Sequence, residues 1–145
     1  MLNECTCAHL RRLTRRITTI YDHHLAPVEL TISQYSLLSR VGRLGPIANL
    51  RLAGEMGMDR SSLSRTIKPL MSAGWITTAD MPPGEQVDKR SFGLELTAAG
   101  RAKRDQAYPL WHAAEREISD LMGGDVRNTL IGVVEQAYDK LQQAT

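Results

Sequence analysis

The sequence predicts a mostly α fold carrying one small β-hairpin, and three observations predict it. Apolar residues recur at helical spacing through most of the chain. Two short runs, "WITTA" and "SFGLEL", are β-branched or alternating and lie close together between Trp75 and Leu96, and Gly and Pro punctuate the joins. With 145 residues, 42% hydrophobic and 23% charged, the chain buries a sizeable core, so one soluble domain over residues 1–145 is expected.

From Leu10, the positions Leu13, Ile17, Ile20, Tyr21, His24 and Leu25 follow a 3-4 rhythm, and Arg11, Arg12, Arg15 and Arg16 fall off that stripe. This predicts an amphipathic helix that ends before Pro27. "TISQ" supplies Thr31 as N-cap with Gln34 three residues on, a capping-box signature, and Leu37, Leu38, Val41 and Leu44 carry a second helix to Gly45-Pro46. A short third helix, Ala48 to Met56, precedes a turn at Gly57-Met58. Asp59 then caps a fourth helix whose apolar positions are Leu63, Ile67, Leu70 and Met71.

Gly74 suits the end of that helix. Between the two strand-like runs, "DMPPGEQVDKR" is too long and polar for a tight turn, so it projects into solvent with Lys89 and Arg90 at its base or tip. A helix-turn-helix followed by a basic hairpin is a winged helix. Thr97 caps the next helix, whose seam Ala107, Trp111, Ala114, Ile118 and Leu121 runs for about 24 residues, roughly 36 Å. Gly123-Gly124 breaks it, Asp125 is the expected cap of the last helix, and Val126, Leu130, Val133, Val134, Ala137 and Leu141 form the final apolar stripe.

These long terminal helices carry more apolar face than a small domain needs, which predicts a homodimer joined through Trp111, Ile118, Leu121, Leu130, Val134 and Leu141. The organisation expected is a helical dimerisation region, residues 1–30 and 98–145, around a winged helix-turn-helix over residues 31–97. Pro69 and Pro109 fall inside two of the helices, where each costs about 3 kcal/mol in an ordinary interior. The apolar rhythm crosses both, so kinks are expected there and not ends.

Charge is uneven. Residues 40–104 carry 11 Lys and Arg against 6 Asp and Glu, and residues 105–145 carry 3 against 7. A basic middle fits contact with a polyanion, and an acidic end fits contact with protein. On the fourth helix, Ser61, Ser64, Arg65 and Lys68 share a face that has hydroxyls and positive charge but no carboxylate. Such groups suit the phosphates and base edges of double-stranded DNA.

The segments "TISQYSLL", "LAGEMGMDRSSLSRTIKPLMSAGWI" and above all "DKRSFGLELTAAG" resemble the MarR family of bacterial winged-helix regulators, over nearly the whole chain. The last is similar to the family's D-x-R wing followed by an L-T-x-x-G helix start. The resemblance implies a homodimer built from the first, fifth and sixth helices, a recognition helix in each major groove and a wing in each adjacent minor groove. It places Arg60, Ser61, Ser62, Ser64, Arg65 and Lys68 on the recognition helix at the DNA, Lys89 and Arg90 on the wing, and Asp88 as the acidic partner that orients Arg90. It also implies a cleft for small aromatic acids, for which Tyr21, His24, Tyr35, Tyr108 and Trp111 are the candidate lining residues.

Cys5 and Cys7 form a C-x-C pair that invites an oxidant or soft-metal sensing role, although two ligands do not complete a site and no metal or other cofactor is expected. No G-x-S-x-G, phosphate loop or H-E-x-x-H motif nominates a catalytic residue. The N-terminal segment has no apolar run suited to a signal peptide or membrane span, so the expected location is the cytoplasm. The expectation is a transcriptional regulator, most simply a repressor on a pseudopalindromic operator, relieved by a small molecule or oxidation. The alternatives are a winged-helix module that docks a protein, which should show apolar residues on its exposed face, and an architectural DNA binder without an effector.

Overall fold

The computed structural model describes residues 5–85 and 88–144. Its elements run α1 Thr6–Leu25, a short 3-10 helix Ala26–Val28, α2 Ile32–Leu44, β1 Ile47–Ala48, α3 Asn49–Met56, α4 Arg60–Ser72, β2 Ile76–Ala79, β3 Gly93–Leu96, α5 Ala98–Met122 and α6 Gly124–Ala144. The fold is the mostly helical one with a small antiparallel sheet that the sequence pattern leads one to expect. The sheet has a third strand, however: β1 pairs with β3 to give the order β1-β3-β2, with Ile47 opposite Leu94 and Ile76 opposite Leu96. Two residues are too few to show a period of two, so the sequence pattern passes over Ile47 and starts the third helix at Ala48, one residue before α3 begins.

Helix starts follow local chemistry. Thr31 accepts the Gln34 N–H and the Gln34 side chain accepts the Thr31 N–H, the reciprocal pair expected at the head of α2. Asp59 accepts the Ser62 N–H at 2.7 Å at the head of α4. Gly57 closes α3 with a φ of 65°, a conformation in which a side chain is strained. Helix α6 departs from expectation by starting at Gly124, so Asp125 lies in its first turn instead of capping it. A carboxylate there still favours the positive end of the helix dipole.

Both prolines lie inside their helices, as the continuing apolar rhythm implies. Pro69 and Arg65 are exposed, as are Pro109 and Asp105. The carbonyl four residues back, which proline cannot serve, therefore stands on a wet side of each helix, and this lowers the cost.

The chain divides into two compact units, residues 25–110 and residues 1–24 with 111–145. The division at 110 differs from the boundary at 98 suggested by the sequence, because the first half of α5 is fastened to the winged unit. Thr97 accepts the Gly100 N–H at 3.0 Å and donates to the Gly74 carbonyl, while a Cβ on Gly100 would overlap the Trp75 carbonyl. The Thr and Gly of L-T-x-x-G thus dock the start of α5 against the end of α4. Lys103 adds a cation-π contact at 5.1 Å to the Trp75 ring centroid.

In the 25–110 unit Leu37, Leu38, Val41, Ile47, Leu52, Leu63, Leu70, Ile76 and Leu94 are at most 2% exposed. Full burial of each such side chain contributes about 1.5–3 kcal/mol. In the other unit Ala114 and Ile118 are buried, but no residue of α6 is. Trp111 is half-buried, and Leu121, the last residue of the expected seam, is 71% exposed. The sequence seam therefore turns out of this chain's own core one step before its end.

Candidate nucleic-acid interface

Helix α4 packs its Leu63, Ile67 and Leu70 stripe inward. At 100° per residue, Ser61, Ser64, Arg65 and Lys68 fall within an arc of about 100° on the opposite side, and all four are exposed. Ser62 stands at the edge of that arc, half-buried, and its Oγ accepts a hydrogen bond from Arg65 Nη2 at 3.3 Å. The face has no carboxylate of its own helix and no exposed large apolar side chain.

Arg60 is placed differently from its neighbours. Its Nη2 donates to Asp88 Oδ2 at 3.1 Å, its side chain is 21% exposed, and its Nη1 is inaccessible with no hydrogen-bond partner among the described residues. The first residue of α4 thus turns toward the wing and away from solvent.

Asp88 organises the end of the wing. Its Oδ1 accepts the Arg90 N–H at 2.7 Å and the Ser91 hydroxyl at 3.1 Å, and its own N–H donates to Ser91 Oγ at 3.2 Å. The Arg90 N–H first, and Arg60 second, hold its carboxyl below the usual aspartate range. Asp88 therefore orients Arg90 through the backbone, and its ion-pair partner is Arg60. Lys89 and Arg90 are exposed at the base of the loop beside β3, and Arg51 of α3 pairs with Glu85 at 3.6 Å on the other limb of the wing. Gln86 and Val87 of the loop lie outside the described residues.

The remaining candidates divide between the units. Tyr35 and Tyr108 belong to the winged unit, where Tyr35 is buried and Tyr108 exposed. In the helical unit, Tyr21 donates to Glu115, Glu115 pairs with Arg127 at 3.0 Å, and His24 meets Glu117 at 2.9 Å. Burial first, and the Glu115 bond second, push the Tyr21 hydroxyl well above the usual tyrosine range. Cys5 and Cys7 are exposed, and Cys7 shares a shallow groove along α1 with Thr6, Leu10, Arg11, Thr14 and Arg15. Arg11 and Arg15 thus line this groove. Arg11, Arg12, Arg15 and Arg16 make no ion pair among the described residues. No cluster of three metal-ligating side chains occurs among the described residues.

A capped helix-turn-helix with a cationic, hydroxyl-bearing outer face, fastened to a hairpin that ends in an exposed Arg, defines a winged-helix protein. The comparisons narrow the class. The MarR family model matches residues 30–80. The transcriptional regulator MosR of M. tuberculosis, solved in complex with DNA, is 30% identical with a TM-score of 0.76, over 94% of this chain and 98% of that one. The repressor CouR, solved on a 23-mer DNA duplex, is 26% identical with a TM-score of 0.79, over 93% of each chain. The multiple antibiotic resistance protein MarR of Salmonella typhimurium is 27% identical over 89 residues, 61% of this chain and 59% of that protein's length. The chain belongs to the MarR family.

Proposed function

We propose that this protein is a sequence-specific double-stranded DNA-binding transcriptional regulator, a repressor that acts as a homodimer on a pseudopalindromic operator. One observation carries the reading: Ser61, Ser64, Arg65 and Lys68 form one exposed, carboxylate-free face in the same compact unit as the exposed wing residues Lys89 and Arg90. Cations there release counterions from a duplex, hydroxyls bond phosphates or bases, and an inserted Arg suits a narrow minor groove. A protein-docking winged helix should present large apolar side chains on that face, and the described residues place none there. The DNA-bound MosR and CouR structures support the same assignment.

The dimer is supported by α6, which buries nothing while Val126, Ile131, Val133, Val134, Tyr138 and Leu141 stand 43–70% exposed. Each recognition helix then meets one half-site, and the spacing of the two helices sets affinity. A signal that prefers one spacing relieves repression. CouR has been solved bound to p-coumaroyl-CoA, which supports a small-molecule signal. Oxidation at Cys5 and Cys7 is the rival signal. Peroxide that releases DNA from the wild type but not from the double Ser variant would select it.

The proposed role is non-enzymatic and is exercised at bacterial DNA, in the cytoplasm. No helix among the described residues is long and apolar enough to cross a membrane. The decisive experiment is capture of genomic fragments by the purified protein at near-physiological salt, followed by sequencing. One enriched motif with two-fold symmetry is expected, and uniform recovery of all fragments would overturn sequence-specific binding.

A further inference from the structure

Asn49 is the buried polar residue of the described core, 2% exposed. Burying a side-chain amide without partners costs about 1–3 kcal/mol, so its bonds decide whether the position tolerates it. All of them go to the wing. The pairing of β1 with β3 ends at Ala48 opposite Gly93, and the Asn49 N–H continues it to the Phe92 carbonyl at 2.9 Å. Asn49 is also the first residue of α3, so its own carbonyl turns along the helix axis and is lost to the strand.

The side chain takes over where the backbone departs. Asn49 Oδ1 accepts the Phe92 N–H at 3.2 Å, and Asn49 Nδ2 donates to the Arg90 carbonyl at 2.9 Å. The Arg90 N–H is held by Asp88 at 2.7 Å. Both peptide groups of Arg90 are thus fixed, one by the first residue of α3 and one by the acid tied to the first residue of α4. The Arg90 side chain alone is left to adjust.

We infer that Asn49 is a positioning residue for DNA contact: its buried amide extends the β1 and β3 ladder to Arg90 and sets where the Arg90 side chain leaves the wing. The inference rests on the DNA-binding reading and deepens it. Asn49 itself touches no DNA. An apolar residue of similar size would fill the same space in the core but would leave the Phe92 N–H and the Arg90 carbonyl without their partners, so filling the core does not account for the amide.

The test is a double-mutant cycle with the full chain and the duplex that the wild type enriches from genomic DNA, using Asn49→Ala, Arg90→Ala and the double variant. Arg90→Ala should weaken binding about 5- to 150-fold. Asn49→Ala should weaken it at least about threefold in the wild-type background and less than about twofold once Arg90 is gone. Equal losses in both backgrounds, or no loss from Asn49→Ala, would overturn the positioning role. No loss from Arg90→Ala would instead overturn the wing contact itself.

Should Asn49→Ala fail to fold, Asn49→Asp serves in the same cycle, because it keeps the acceptor for Phe92 and removes the donor to Arg90. Amide exchange gives a readout without DNA. Faster exchange at Phe92 in Asn49→Ala, which loses the acceptor, with Leu38 and Leu63 amides unchanged, supports the assignment. Uniform acceleration or no change overturns it.

Discussion

The two units of this chain solve the same problem, hiding apolar surface, to different degrees. The winged unit buries most of its leucines and isoleucines within one chain, with Leu50 left exposed, and its loops are fastened by Thr97, Asp88 and Asn49. The helical unit leaves Leu10, Leu121, Val126, Ile131, Val133, Val134, Tyr138 and Leu141 all above 40% exposed. A monomer rarely keeps so many large apolar side chains wet on two or three helices. The first unit is finished by its own sequence, and the second is shaped to be finished by another copy.

The largest effect should come from testing that contrast. Ile118→Asp places a charge at a site 5% exposed within the chain itself. It should cost more than about 3 kcal/mol and leave little folded protein. Leu121→Asp is the sharper variant, because Leu121 is 71% exposed in the single chain. A surface change in a true monomer stays within about 0.5 kcal/mol. The expectation is instead a large loss of dimer by sedimentation and a concentration-dependent melting temperature. A Leu121→Asp protein with wild-type mass and melting curve at all concentrations would show that Leu121 lies outside any dimer contact.

The winged unit should respond in function with little change in stability. Arg90→Ala is expected to weaken operator binding by about 1–3 kcal/mol with an unchanged melting temperature, since the exposed side chain packs on nothing in the core. Lys68→Ala should chiefly reduce the slope of log affinity against log salt by about one, as a lost phosphate contact does. Arg60→Ala separates reading from scaffolding. If Arg60 acts through Asp88, its effect on affinity and that of Asp88→Ala overlap in the double variant, whereas a direct reader gives additive losses.

Much of this architecture was legible because local rules and global packing agree. Thr31 with Gln34, Asp59 at the head of α4, Gly57 and the Leu63, Ile67, Leu70 stripe each state a boundary or a face in residues that are neighbours in sequence. What stayed hidden is non-local. Nothing in "IANLRLA" marks Asn49 as more than a polar residue at a helix start, because its partners lie 41 and 43 positions away. Arg60 looked like its serine neighbours until the fold brought Asp88 to it, 28 positions on. The exposed stripe on α4 needed only helical geometry, and the parts that hold the wing against it needed the tertiary fold.

The smallest expected effect sharpens the contrast through pH. In the winged unit Asp59 and Asp88 have carboxyls held below the ordinary aspartate value of 3.8, by the Ser62 N–H and the Arg90 N–H respectively. A depressed value in the folded state means that their stabilisation is present above the ordinary value and is lost as pH falls through the folded one. In the helical unit the opposite sign applies to Tyr21, raised by burial and by its bond to Glu115. Its contribution is complete below the ordinary tyrosine value of 10.0 and declines as the unfolded chain begins to ionise above it. Tyr35 is also raised by burial, so the alkaline limb alone does not isolate one unit. Substitution does: Asp59→Asn with Asp88→Asn should flatten the acid limb of a stability profile and leave the alkaline limb alone, and Tyr21→Phe should do the reverse. If Tyr21→Phe leaves the alkaline limb unchanged while an ultraviolet titration shows every tyrosine ionising together, the bond that fastens α1 to Glu115 of α5 does not persist in solution.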